Sequence, residues 1–444
     1  MTRTRLAAVM AVVVVLLGFG VGRASATNDP LWPRQYGPVQ IGAPSAWTKS
    51  TGKGVKVAVV DSGVDIHHPD LVPNLDLADS HDFACNDDNP DDDSTEVDSH
   101  NNGVKGHGTH VTGIIAAAAN NGIGVAGVAP DVKVMVEKVF ATNSSCSAGG
   151  LDGLAGTARS AIGYAVDHGA KVINLSLSEF AGLDFLTGGL EQACENAFTR
   201  GSLCVIAAGN GGETKGSGYS SDFNGIIVTA NDADGAHAVF GQKADTKWAV
   251  SAPGVQITST WPTSDSGHDG YNTIDGTSMA SPHVAGAAAV LAGMGMDNKT
   301  IAETLTRTAG PSRDSNTEGA GLIHLDRAAG VDTPPTTSNA NRTTATNTPV
   351  TRSGRTGVGG GSGALPATTT SPPTTRRTGN AFEDDITGKD ANDFNAIRLR
   401  EASKNSANKP FNAAWPLVAF SGVATVALLA IGIPRLRAKD TPLT

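Results

Sequence analysis

Val55-Lys56-Val57-Ala58-Val59-Val60-Asp61-Ser62-Gly63 decides the fold. Its apolar, β-branched run reads as a strand buried on both faces, the pattern of a parallel sheet. Asp61 closes the run. The carboxyl end of such a strand is the mouth of an open α/β sheet, where ligand sites collect. Further strands are predicted at 132–139, 171–176 and 203–208, separated by helical segments at 107–119, 151–168 and 189–199. That alternation predicts an α/β architecture with a mostly parallel central sheet.

Two other stretches supply partners for Asp61. His107-Gly108-Thr109-His110-Val111 follows a glycine-bearing loop and opens an Ala-rich helical segment, His110 to Ala119. Gly276-Thr277-Ser278-Met279-Ala280 precedes a helical run, Ser281 to Leu291, in which Ser281-Pro282 reads as a helix start. A serine hydroxyl is a weak nucleophile until a base takes its proton, and that base needs an orienting carboxylate. The small residues Gly276, Thr277 and Ala280 admit a substrate backbone, and a helix N-terminus favours negative charge developing at Ser278. Val205-Ile206-Ala207-Ala208-Gly209-Asn210 is another apolar strand, ending in an amide donor. His110 falls one helical turn after His107 and is expected to pack inside, while His67, His68 and His283 have no partner pattern and are expected to be structural.

Asp61, His107 and Ser278, in that order and with those neighbours, resemble the motifs of the subtilisin-like serine proteases over roughly residues 28–330. The likeness is to the thermitase branch, through Asn28-Asp29-Pro30, Arg34-Gln35-Tyr36-Gly37-Pro38, Ala43-Pro44, Ala46-Trp47, and Ala119-Asn120-Asn121-Gly122 leading to Gly127-Val128-Ala129-Pro130. It implies a three-layer α/β fold and hydrolysis of protein or peptide substrates through an acyl-enzyme. In that scheme Asp61 orients His107, His107 deprotonates Ser278, and Asn210 with the Ser278 N–H holds the oxyanion. Leu175-Ser176-Leu177 matches the strand that pairs with substrate, and Ala207-Ala208-Gly209 the substrate-binding segment before Asn210. Ser178-Glu179, residues 141–150 and Tyr219-Ser220-Ser221-Asp222-Phe223 depart from the family pattern, so no side-chain preference is carried over.

The resemblance implies no cofactor for catalysis but a structural calcium. Its ligands would be the carboxylates of Asp29 and Asp70, the side-chain carbonyl of Asn121, and the backbone carbonyls of Ala118, Ile123 and Val125, a donor set for a hard cation. The acidic run Asp82, Asp87, Asp88, Asp91, Asp92, Asp93, Glu96 and Asp98 reads as a solvated loop. The alternative, implied by the resemblance, is a second calcium loop at Asp82 and Asp87, although this loop is longer and Cys85 interrupts it.

Residues 1–26 read as a signal peptide: Arg3 and Arg5, an apolar run from Leu6 to Val21, then Ala24-Ser25-Ala26 before the cut. Residues 27–54 then precede the first strand, so maturation without a folded pro-domain is expected. After the peptidase domain (27–331), residues 332–412 form a Thr/Pro/Gly-rich and then polar linker too poor in apolar residues to build a core. Ala413 to Ile433 is uncharged and, as a helix of about 31 Å, matches a bilayer core. Arg435, Arg437 and Lys439 in the tail (434–444) predict a single-pass membrane anchor with the protease domain extracytoplasmic. This layout is similar to that of the mycosins, proteases attached to type VII secretion machines, so the alternative is a structural subunit of such a complex with proteolysis secondary.

Four cysteines in an exported chain predict two disulfides. Three pairings are possible, and Cys194–Cys204 with Cys85–Cys146 is preferred. A net charge of −10 with 5% aromatic residues leaves no basic footprint for nucleic acid.

Overall fold

The computed structural model describes residues 27–95, 104–141, 146, 151–177 and 187–331. All lie in the first of two units of the chain, Met1–Thr344; the second is Ala345–Thr444. The expected signal peptide, linker, membrane span and tail fall outside the described residues, as do Ser178, Glu179 and most of 141–150. No helix among the described residues is long and apolar enough to cross a membrane.

Seven strands form one sheet: β1 (Lys56–Asp61), β2 (His81–Asp82), β3 (Lys133–Lys138), β4 (Val172–Leu175), β5 (Leu203–Ala207), β6 (Ile226–Asn231) and β7 (Ala249–Pro253). Their order is β2-β3-β1-β4-β5-β6-β7, and every pairing is parallel. From β1 the chain goes to the edge strand β2 and returns to β3 beside β1, then crosses to β4 and winds outward to β7 on the other side. The carboxyl ends of β1 and β4 therefore flank the switch point, where such sheets leave a crevice. Asp61 is the last residue of β1. Strands β8 (Ile257–Thr260) and β9 (Tyr271–Ile274) make a separate antiparallel hairpin.

Helices cover both faces. Val57, Val59, Val134 and Val136 share one buried cluster with residues of α1 (His107–Ala116) and α4 (Thr277–Gly293). Ala58, Val60 and Met135 belong to the opposite cluster, under α2 (Leu151–Asp167) and α3 (Thr187–Thr199). The strands alternate between these clusters because successive side chains point to opposite faces. A further helix, α5 (Asn298–Thr308), is amphipathic and capped by the Asp297 side chain, which accepts from Thr300 N–H at 2.7 Å. By contrast α4 is buried all round from Thr277 to Leu291, and its run of alanines lets the sheet and α1 approach closely.

Three local expectations need correction. Helix α1 stops at Ala116 rather than 119, because Ala117 turns extended and the next backbone groups bond elsewhere: Ala118 N–H to Asp70 O, and Gly127 N–H to Ala117 O. Helix α4 begins at Thr277, so Ser278 lies inside it and Pro282 is an interior residue, not a start. Pro282 has no N–H for the Ser278 carbonyl four residues earlier. The Ser176 hydroxyl donates to that carbonyl instead, at 3.0 Å. Third, the acidic run is not uniformly solvated: Asp82 and Asp92 are buried.

The cysteines pair as Cys85–Cys146 and Cys194–Cys204. The second bridge ties α3 to β5.

Candidate active site

Asp61 is fully buried at the end of β1, and its Oδ1 lies 2.7 Å from His107 Nδ1. A carboxylate only accepts, and this oxygen also receives the Ser62 N–H at 2.7 Å. The proton of the pair therefore sits on Nδ1, which leaves Nε2 as the basic nitrogen. Two glycines permit the approach. Gly106, at φ +92°, precedes His107, and a Cβ there would meet the Trp261 ring at 2.5 Å. A Cβ on Gly108 would stand 2.2 Å from Gly63 O. The His107 side chain keeps 16% of its surface exposed, so one edge of this pair faces solvent.

Ser278 is the second residue of α4, where helix N–H groups lack intrahelical partners. Its hydroxyl donates to Ser176 O at 3.2 Å. The residue is anchored from the other side by a buried chain of bonds: Ser281 Oγ to Asn174 Oδ1 (2.8 Å), Asn174 Nδ2 to Ser176 Oγ (3.0 Å), and Ser176 Oγ to Ser278 O. Asn174 and Ser281 are thus parts of the site that the sequence alone did not mark, and Ser176, expected there to pair with substrate, also braces Ser278. The only signal for Asn174 and Ser281 was their position near motif residues.

Asn210 follows β5. Its Oδ1 accepts from Thr277 N–H (3.0 Å) and Thr277 Oγ1 (2.9 Å), while Thr277 Oγ1 accepts from Gly209 N–H (3.2 Å). With the carbonyl end engaged, the amide nitrogen is unengaged among the described residues. So is the Ser278 N–H. Asn210 is thereby held to Thr277, the residue before Ser278. Leu175, Leu177 and Ala208 are buried in the cluster under α2 and α3, and Ala207 is buried as well. Ala208 N–H is already bonded to Val228 O in the sheet.

His110, His283 and His68 are each held by main-chain carbonyls. His110 is fully buried and donates from Nε2 toward the Ile257 and Asn272 carbonyls, and burial pushes its pKa down to about 3. His283 bonds Met279 O through Nδ1 and is pushed down to about 4, again by burial. His68 Nε2 meets Gly270 O at 2.8 Å.

The loop 120–125 brings Asp29 and Asp70 to one place. Asp29 accepts from the N–H groups of Asn120, Asn121 and Gly122, and Asp70 from Asn121 Nδ2, Val125 N–H and Tyr271 OH. Among the described residues neither carboxylate is ion-paired with a lysine or arginine; His68 lies near Asp70, but burial is the larger effect and raises the Asp70 pKa. Two buried carboxylates with an amide beside them suit an oxygen-liganded cation. Asn121 turns its nitrogen to Asp70 and its carbonyl to Ile123 N–H, so holding an ion requires this amide to rotate. No group of three or more His, Cys, Asp or Glu side chains arranged for a metal occurs among the described residues.

The sequence profile of the subtilase family, Peptidase_S8, matches residues 52–331. Thermitase of Thermoactinomyces vulgaris is 39% identical over 287 residues, covering 64% of this chain and 91% of that protein. Subtilisin Savinase of Lederbergia lenta is 36% identical over 296 residues, covering 66% and 97%. Among solved structures, a protease of Pseudoalteromonas arctica PAMC 21717 superposes with a TM-score of 0.57 at 27% identity, over 69% of this chain and 99% of that one. Fervidolysin of Fervidobacterium pennivorans, a keratinolytic enzyme related to subtilisin, gives 0.56 at 29% identity, over 69% and 47%. With its parallel sheet and its Asp61–His107 pair at the switch point, the chain belongs to the subtilase family and is a subtilisin-like serine peptidase.

Proposed function

We propose that the chain is an extracytoplasmic, membrane-anchored endopeptidase in which Asp61, His107 and Ser278 act as a triad. The observation that carries the chemistry is the 2.7 Å bond from His107 Nδ1 to the buried Asp61, which makes Nε2 the nitrogen able to take a proton. In the reaction, Nε2 takes the Ser278 proton as Oγ attacks the substrate carbonyl. The developing oxyanion accepts from the Ser278 N–H and Asn210 Nδ2. The imidazolium, stabilised by Asp61, then protonates the departing amine, and water releases the acyl group by the reverse proton path. Leu175-Ser176-Leu177 and Ala207-Ala208-Gly209 would hold the peptide backbone on either side of the cleft.

A calcium ion held by Asp29, Asp70, the turned Asn121 amide and the carbonyls of Ala118, Ile123 and Val125 would tie the amino-terminal segment to the domain. It takes no part in the chemistry. Membrane attachment is supported by the uncharged run Ala413 to Ile433 and the basic residues after it. A partner in a type VII secretion complex is supported only by this layout.

Cleavage of an unfolded protein by the purified chain, lost in Ser278→Ala, tests the enzymatic reading. In the cell, a deletion phenotype that Ser278→Ala does not reproduce would favour the scaffold alternative.

A further inference from the structure

Asp92 belongs to neither the Asp61–His107 pair nor the oxyanion donors, yet its buried carboxylate touches both segments that carry the pair. Its Oδ1 accepts from Ser62 Oγ at 2.9 Å. Its Oδ2 accepts from Gly106 N–H (3.0 Å), Thr109 N–H (3.2 Å) and Thr109 Oγ1 (2.5 Å). Ser62 follows Asp61 directly, and Gly106 and Thr109 bracket His107. Ser62 Oγ also accepts from Gly108 N–H at 2.9 Å. A closed ring of bonds thus runs from Asp61 through Ser62 and Asp92 to the first turn of α1, and back through the His107 imidazole.

All four groups touching Asp92 can donate, which is what an acceptor-only carboxylate requires. Three of them are on or beside the first turn of α1, whose N–H groups have no helical partner and whose dipole favours an anion. The residue at the cap position itself is Gly106, which has no side chain to do this. Asp92 supplies the cap from elsewhere in the chain. Its own segment is fastened to the same strand end: Asp92 N–H bonds Val64 O at 3.0 Å, and Val64 N–H bonds Pro90 O at 2.9 Å. The next residue, Asp93, is ion-paired with the buried Lys138, the register partner of Asp61.

We propose that Asp92 is a positioning residue for peptide hydrolysis, fixing the first turn of α1 to Ser62 and so setting the His107 ring against Asp61. The proposal rests on the reading of His107 as the base. Misplacing a reacting group by about 1 Å can cost roughly 100-fold in rate. Asp92→Asn keeps the shape but turns one acceptor into a donor, which must then face either Ser62 or the α1 N–H groups.

The test uses the full chain and its Asp92→Asn variant, assayed well below each unfolding midpoint. It reads kcat and KM on a peptide substrate, the rate of inactivation by a fluorophosphonate, and the NMR signal of the His107 Nδ1 proton. Expected are a fall of about 10–100-fold in kcat and in inactivation rate, a KM within about twofold, and a weakened Nδ1 signal. A variant that loses thermal stability but keeps kcat and the Nδ1 signal overturns the proposal and leaves Asp92 a helix cap only. Should Asp92→Asn fail to fold, Ser62→Ala, which severs the same ring at its other link, carries the test; unchanged kcat there overturns the proposal equally. A wild-type chain that the probe never labels refutes instead the reading of His107 and Ser278 on which the proposal stands.

Discussion

Asn210 Oδ1 accepts from both the main-chain N–H and the hydroxyl of Thr277, at 3.0 and 2.9 Å. This double bond pattern orients the amide, because a main-chain N–H can only donate and so must face the oxygen. The amide nitrogen is thereby turned away from Thr277. Asn210→Leu is expected to lower kcat by about 100–1,000-fold, roughly 3–4 kcal/mol, with KM little changed, a magnitude that belongs to subtilisin's own oxyanion donor rather than to this chain. Thr277→Val should cost less, since the main-chain bond to Asn210 remains. Steady-state kinetics of both variants check this.

Glu137 provides a pH prediction away from the chemistry. It lies on β3, fully buried, with neither carboxylate oxygen hydrogen-bonded among the described residues. Burial, with a smaller contribution from Asp79, pushes its pKa from the ordinary 4.5 up to about 9. Between those values the folded chain holds a proton that the unfolded chain has lost. Stability must therefore fall as pH rises from about 4.5 to 9, by up to about 1.4 kcal/mol per pH unit from this group. Glu137→Gln should remove that slope and raise the unfolding midpoint at pH 8. Thermal unfolding of both proteins from pH 5 to 9 decides it; parallel pH profiles would show that Glu137 is not the source.

Chelation tests the proposed cation at Asp29 and Asp70. A ligand present at 100 times its dissociation constant stabilises the folded state by about 2.7 kcal/mol. Calcium should raise the unfolding midpoint of the wild-type chain and a chelator should lower it. Asp70→Asn should be insensitive to both. A wild-type midpoint that ignores calcium would remove the ion from the account.

The Cys194–Cys204 bridge closes a short loop between α3 and β5, for which the chain-entropy account gives roughly 3 kcal/mol, a model-dependent figure. The Cys194→Ala/Cys204→Ala double variant should lose about that much in denaturant unfolding, without changing kcat below its midpoint. A loss of activity at full stability would contradict a purely structural role.

The elements that the sequence announced were those whose signal is local. β1 and β5 are nearly continuous apolar runs and β3 and β4 mostly so, and Asp61 at the carboxyl end of β1 was conspicuous for the same reason. β6 and β7 are equally buried, but their residues sit among glycine-bearing loops and were not read as strands. β2 has two residues, too few for any periodicity. Pro282 defeats a sound local rule, because the compensating donor, Ser176, lies 102 residues from Ser278, whose carbonyl it satisfies. Asp92 was hidden for a related reason: a run of aspartates looks solvated until donors from Ser62, Gly106 and Thr109 gather around one member of it. Pairings set by tertiary contact leave no mark on spacing.

The central claim is that Ser278 is a hydroxyl made nucleophilic by His107 on a buried Asp61. Fluorophosphonate labelling of the purified chain, with mass-spectrometric mapping of the adduct, tests it most directly. The account predicts one equivalent of label on Ser278, and sharply reduced labelling in His107→Ala. A native, folded chain that takes no label, or takes it on another serine, would contradict it.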